Sequence, residues 1–330
     1  MKYVILSFDY ELFFGDKSGT VKKSLIEPTN KLMDCMEQCG FRGNFFVDWQ
    51  MLKYLKETKT KMTDADYFLI EAQLQDMIRR GHRIELHIHP HWVDAKYNGD
   101  GTWDFSDFTH YSLNSFKEEE IIMMFEEGVE LLTGIARSVV PDYKIVAFRA
   151  GGWAVQPFDT LKKAFEKTGI FIDSSVMRGS YAENEGSYYD FRNAPFTQRG
   201  FYRFEDDVCC KVEKGQFVEV PISNVKIGLL YKIIGRIYTT LFGKIESLTD
   251  GTHQRSKTNK YTKKNKAKIL SLTLSRVNPI NVIINQLKCR KDVSCYIDHP
   301  KDFTNVTEMA FHALSIMRKK SLFYNDILSL

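Results

Sequence analysis

Short apolar runs that stop at chemical residues recur along the chain. Residues 2–8 form such a run and end in Asp9-Tyr10-Glu11. Near-continuous apolar runs of this length suit parallel strands buried on both faces. Gly43-Asn44-Phe45-Phe46-Val47 is the next, followed by Asp48 and Trp49. Ile84, Leu86 and Ile88 alternate with polar residues and are stopped by Pro90. Further strands are predicted at Lys144–Phe148, Ile170–Ile172, Phe217–Ile222 and Val293–Ile297. The first, second and fourth of these lead into Arg149, Asp173 and Asp298-His299-Pro300. Between them, 3.6-residue periodicity predicts helices from Pro28 to about Gly40, Asp64 to Arg80, Phe116 to Arg137, Gln156 to Thr168, and Val306 to Lys320.

Strand–helix alternation argues for a parallel sheet. Chemical residues at successive strand ends are where a (β/α) barrel carries its active site. Seven strands are counted, one short of the eight-stranded form. The polar stretch 93–115, with Trp103, Phe105 and Phe108, reads as a long loop over one mouth, and loops of that length are usually functional. Residues 179–211, rich in tyrosine and phenylalanine, read as an inserted hairpin or loops.

Composition adds little to this picture. The 330 residues are 43% hydrophobic and 27% charged, with a net charge of +4. That is ordinary for a globular protein, and the expected organisation is one barrel domain over 1–330 with an insertion at about 224–290. The six cysteines form no C-x-x-C pair and are read as reduced thiols. The start of the chain lacks a charged-then-apolar-then-small pattern, so a cytoplasmic location is expected. No uninterrupted apolar stretch of about 18 residues predicts a spanning helix.

The candidate chemistry centres on His87, His89 and His91, three imidazoles within five residues at a strand end. Histidines in this arrangement suit a divalent metal, although a hydrogen-bonded polar cluster would also account for them. If the first strand continues to Glu11, its period of two puts Asp9 and Glu11 on one face. Arg149, Asp173 and His299 end other strands. Together these residues could support metal-assisted hydrolysis. Histidines and a carboxylate hold the ion, a carboxylate takes the proton of water, and a further histidine protonates the leaving group. An arginine beside the base would hold it ionised and oriented.

The ordered set resembles the polysaccharide deacetylase family, carbohydrate esterase family 4, over about residues 1 to 305. The family's T-F-D-D is similar to Ser7-Phe8-Asp9-Tyr10-Glu11. Its H-S/T-x-x-H, after G-H-E-I/V, is similar to Gly81-His82-Arg83-Ile84 and His87-Ile88-His89-Pro90-His91. Its R-x-P, D-x-S and L-x-H resemble Arg149-Ala150-Gly151, Asp173-Ser174-Ser175 and Ile297-Asp298-His299.

The resemblance implies a distorted (β/α)7 barrel that removes acetyl groups from sugars with zinc or a similar metal such as cobalt or nickel. It implies Asp9 as general base, His299 as general acid, and Arg149 as the tether of Asp9. It further implies His87, His91 and Glu11 as metal ligands, Ile297 lining the acetyl pocket, and Asp173 orienting His299 or Arg149. The chain departs from the family in three places. The family's ligand aspartate directly follows the base, where Tyr10 stands here. Gly151 replaces a proline, and His89 is additional.

Trp49, Trp92 and Trp153 each lie just beyond a chemical strand end and are candidate sugar platforms, since aromatic faces stack on sugar C–H faces. Capping the barrel is their other reading.

In the insertion, apolar residues recur at 227, 230, 231, 234, 237, 238 and 241, and residues 255–268 hold seven Lys/Arg and no acid. That pattern suits either an outer helix with a solvated loop or a membrane-surface contact through 224–268. The expected partner is a carbohydrate, lipid-linked or free, rather than nucleic acid. The expected function is metal-dependent removal of an acetyl group from an amino sugar or a surface-polysaccharide precursor. The alternatives are a deformylase or other C–N amide hydrolase, and a catalytically silent carbohydrate-binding protein. A glycosidase using Asp9 and Glu11 would leave the histidines idle.

Overall fold

A computed structural model describes residues 2–184, 187–253 and 269–330. The basic run 255–268 lies outside the described residues. The strands of the main sheet are β1 (Tyr3–Tyr10), β2 (Asn44–Asp48), β3 (Arg83–Ile88), β4 (Ala147–Ala150), β5 (Ile172–Asp173), β6 (Tyr202–Phe204), β7 (Phe217–Glu219), β8 (Val293–Asp298) and β9 (Lys320–Ser321). The helices are α1 (Glu27–Gln38), α2 (Trp49–Thr58), α3 (Lys61–Arg79), α4 (Glu118–Arg137), α5 (Asp159–Thr168), α6 (Leu229–Phe242), α7 (Pro279–Lys288) and α8 (Thr307–Ser315).

The sheet runs β6-β7-β5-β4-β3-β2-β1-β8, with β9 added beside the start of β1. β8, β1, β2, β3, β4, β5 and β7 are all mutually parallel, and only β6 is antiparallel to its neighbour. These seven parallel strands curl into a distorted (β/α)7 barrel. Its two edges are bridged by backbone: Asp292 and Val293 donate to the carbonyls of Gln198 and Arg199, and Ser223 donates to Cys295.

Period-two alternation explains the apolar runs. Along β1, Val4, Leu6, Phe8 and Tyr10 pack outward in the large cluster shared with the helices. Ile5 faces the barrel interior, packed with Phe46, Ile172, Val218 and Tyr324. Ser7 and Asp9 continue that inner face, so β1 delivers polar groups to one mouth while staying apolar outside. β3 follows the same rule: Ile84, Leu86 and Ile88 lie in the outer cluster, which leaves Glu85 and His87 inside.

α2, α7, the edge strand β6 and the C-terminal return were not foreseen. α2 and α7 are short and their apolar patterns run into neighbouring strands or loops. The C-terminal segment after α8 returns to the barrel, adding β9 and placing Tyr324 in the interior. The predicted closing helix stops at Ser315, and Arg318 has a positive φ of 51° just before β9. Residues 93–115 include a small hairpin, Lys96–Tyr97 with Trp103–Asp104, and 179–211 contains another, Tyr181–Asn184 with Ser187–Asp190. All six cysteines are free.

Candidate metal centre and active site

The C-terminal ends of β1, β3, β4 and β8 converge on Glu11. One of its oxygens, Oε2, lies 3.0 Å from His87 Nε2 and 2.6 Å from His89 Nε2. The other, Oε1, accepts from Lys301 Nζ at 2.7 Å and lies 3.6 Å from His299 Nε2. β1 ends at Tyr10, yet Asp9 and Glu11 both reach His299, with Asp9 Oδ2 at 3.5 Å from its Nε2. Tyr10 points to the opposite face, where its hydroxyl donates to Gln73 at 2.7 Å. Strand alternation therefore puts the side chain of position 11, not that of position 10, on the inner face with Asp9.

Asp9 is held by Arg149, which is fully buried. Arg149 Nη1 donates to Asp9 Oδ1 at 2.5 Å, Nη2 to Ser7 Oγ at 2.8 Å, and Nε to the Ser174 carbonyl at 2.8 Å. Tyr324 and Ser174 hydroxyls flank Nη2, and the guanidinium lies over the Phe46 ring at 4.2 Å. A buried charge pair needs this degree of satisfaction to be tolerated.

One oxygen of Glu11 and one nitrogen each of His87 and His89 lie within 4.8 Å of one another. One carboxylate and two imidazoles are a donor set that suits a divalent transition metal. His87 Nδ1 donates to the Arg149 carbonyl at 2.7 Å, which fixes the ring and presents Nε2 to the group. His89 depends on Gly151: a Cβ there would come within 2.7 Å of His89 Nδ1 and of the Ile88 carbonyl. Gly151 thus makes room for the His89 ring.

His91, expected as a ligand, is not brought to this group. Pro90 opens a short 3-10 turn, Pro90–Asp94, that takes His91 off the face of β3. Its ring stacks on Tyr111 and packs against Phe14, Phe105 and Phe108. Both of its nitrogens are buried without a hydrogen-bond partner among the described residues.

The electrostatics follow from burial set against charge. Burial would raise the pKa of Glu11, but Lys301, His89 and His87 outweigh it and hold Glu11 well below the usual range. Burial pushes His89 down to about 4 and holds His91 well below the usual imidazole value. His87 behaves differently: Asp9, Glu11 and Asp48 overcome its burial and raise it to about 9.

His299 is oriented by Asp302, not by Asp173. Its Nδ1 lies 3.3 Å from Asp302 Oδ2, across the single turn Pro300–Asp302. Burial would lower the His299 pKa; Asp302 and Asp9 reverse that and raise it. Asp302 is itself engaged by His253 and Arg276. Asp298, beside them, is committed to the backbone N–H groups of Leu274 and Ser275 and the Thr273 hydroxyl. Asp173 accepts from the Ser175 backbone and hydroxyl and pairs with Glu219, whose carboxyl is pushed well up by burial and by Asp173.

The aromatic candidates separate. Trp49 is buried against Gly128 of α4 and Leu86. Trp92 is fully buried, its Nε1 donating to Asp48 at 2.6 Å. Both are walls. Trp153 is half-buried and packs with Ile297, Met177 and Ile222 beside Tyr189, so it stays at the mouth with Ile297.

Lys301, Asp302, Asp48 and Tyr324 were missed from sequence. Two had a local signal: Asp48 ends a strand as the other chemical residues do, and Asp302 is a carboxylate three residues after His299 across a proline-initiated turn.

No family model and no curated protein sequence matches the chain. Solved structures do. A polysaccharide deacetylase so described from Mycobacterium smegmatis is 14% identical, covering 96% of this chain and 82% of its own at a TM-score of 0.46. The family 4 esterase domain of a multidomain xylanase from the hindgut metagenome of Trinervitermes trinervoides is 10% identical, with 99% and 90% covered and a TM-score of 0.40. A family 4 pseudoenzyme from Bacillus anthracis is 10% identical, with 99% and 65% covered and a TM-score of 0.39. Among the solved structures to which this chain is similar are polysaccharide deacetylases, esterases and a pseudoenzyme of carbohydrate esterase family 4, all at low identity.

Proposed function

We propose that the protein is a divalent-metal-dependent hydrolase that removes an acyl group, acetyl in the first instance, from an amino sugar of a carbohydrate. One observation carries this reading. Asp9 Oδ2 and His299 Nε2 stand 3.5 Å apart beside the Glu11–His87–His89 donor group. A base and an acid next to a metal-suited triad are what amide hydrolysis needs.

Glu11, His87 and His89 would hold the ion, which when bound supplies Lewis acidity toward the acyl oxygen and acidifies water. Asp9 accepts the proton of the attacking water, and Arg149 keeps that carboxylate aimed at the mouth. His299 presents Nε2 to the leaving amine and returns a proton there, while Asp302 steadies its Nδ1. Trp153 and Ile297 line the mouth where the acyl group and sugar would lie.

A second reading is a catalytically silent carbohydrate-binding protein. Lys301 favours it, because its ammonium already neutralises Glu11 from a buried position.

The test is acetate release from N-acetylated chitooligosaccharides by chain stripped with chelator and reloaded with zinc, cobalt or nickel. Turnover restored by metal and lost in Asp9→Asn supports the hydrolase. A folded, metal-loaded chain that releases no acyl group, formyl substrates included, overturns it in favour of the silent protein.

A further inference from the structure

The insertion that follows β7 carries a surface that the site's chemistry does not use. In α6, Leu229, Leu230, Ile233, Ile237, Leu241 and Phe242 are between 42% and 74% exposed. Positions 230, 233, 237 and 241 follow helical spacing and form one outward stripe. Tyr238 is buried on the inward flank, and the Tyr231 carbonyl accepts from Asn281 of α7. At about 100° per residue, Arg236 flanks the stripe on the side away from Tyr238, and Lys232 lies farther round that side toward the back of the helix. An apolar stripe of this size on a soluble face marks a contact surface.

Charge decides what it contacts. From Asn224 to Ile245 there is no acidic residue, while Lys226, Lys232, Arg236 and Lys244 are present. The adjoining stretch Ile269–Lys291, which includes α7 with its exposed Ile280 and Leu287, also has no acid. A second copy of the chain would set these cations against their like. An anionic lipid surface accepts both the apolar stripe and the cations beside it. At 14 residues α6 is well short of the roughly 20 needed to cross a bilayer. No described helix is long and apolar enough to cross a membrane.

We propose that α6 lies in the surface of an anionic membrane, with its apolar stripe inserted and Lys232 and Arg236 at the headgroups. The helix leads directly to the rim of the site. Leu248 donates to the Phe303 carbonyl, Thr249 donates to the Lys301 carbonyl at 2.7 Å, and His253 bonds Asp302 at 2.6 Å. Docking through α6 would therefore bring the mouth of the barrel to the lipid surface, where a lipid-borne carbohydrate would be presented.

The experiment is flotation of the full chain with vesicles of phosphatidylcholine alone, or with about one third phosphatidylglycerol. The wild type is expected to float with the anionic vesicles and far less with the neutral ones. Ile237→Glu/Leu241→Glu and, separately, Lys232→Glu/Arg236→Glu should each weaken that binding by about tenfold or more. Thermal melting confirms that the variants are folded, since all four positions are exposed. No flotation of the wild type, or equal flotation of the Ile237→Glu/Leu241→Glu variant, overturns the proposal. So does a dimer in light scattering that this variant dissociates, which would make a second copy the occupant. Vesicle binding is read without any turnover, so its failure is distinct from failure of the hydrolase reading.

Discussion

His299 Nδ1 lies 3.3 Å from Asp302 Oδ2, and this pairing turns Nε2 toward Asp9 and Glu11. A histidine held in this way keeps its proton to higher pH than an isolated one. A general acid must be protonated, so its activity falls as pH rises through its pKa. Replacing Asp302 with Asn removes the charge that opposes desolvation of the imidazolium. The alkaline limb of kcat/KM should then move to lower pH, with kcat reduced by about tenfold. A profile identical to wild type would mean that His299 is not the acid.

Arg149 is the buried centre of the Asp9 network, and Arg149→Met leaves the Asp9 carboxylate without its ion pair. Breaking one side of a buried pair costs about 3–5 kcal/mol. Chemical denaturation should show a loss of that size. Turnover should fall by on the order of a hundredfold or more, while metal binding is retained, because the Arg149 side chain bonds Asp9, Ser7, Ser174 and Tyr324 and it is its carbonyl that accepts from His87.

His87, raised to about 9 by Asp9, Glu11 and Asp48, is protonated at neutral pH before a metal binds. A ligand nitrogen must lose that proton. Metal affinity should therefore rise by about tenfold per pH unit up to pH 9 and flatten above it. Calorimetry in buffers of different ionisation enthalpy should detect about one proton released at pH 7.

The pattern of strands was legible because both its causes are local. Alternation along β1 and β3 assigns outer and inner faces residue by residue, and the chemical residues stand where each run stops. The pairing of Asp9 with Arg149 was implied by the resemblance rather than by adjacency, since β2 and β3 lie between the strands that carry them. Less legible was the choice among the histidines. His87 and His89 share the inner face of β3 by period two, whereas Pro90 starts a turn that takes His91 away. Lys301 could not be read at all, because its role rests on Glu11, 290 residues distant in sequence. Asp173 was legible only in part: it feels the charge of Arg149, but a strand-end carboxylate reveals nothing of its hydrogen-bond partner, which is Glu219 on the adjacent strand.

The tryptophans should separate by phenotype. Trp92 is fully buried and bonded to Asp48. Trp92→Ala should destabilise the fold by about 3–5 kcal/mol. Trp153 sits half-buried at the mouth with Ile297. Trp153→Ala should melt close to wild type and raise KM by about three- to tenfold, with little change in kcat.

The central claim is that Glu11, His87 and His89 hold a divalent metal. Anomalous scattering from crystals grown with zinc or cobalt tests it most directly, supported by the metal content of His89→Ala and His91→Ala. The account predicts one peak within about 2.0–2.2 Å of Glu11 and of Nε2 on His87 and His89, with metal lost in His89→Ala and kept in His91→Ala. A peak bounded by His91 instead of His89, or no peak from metal-saturated crystals, would contradict it.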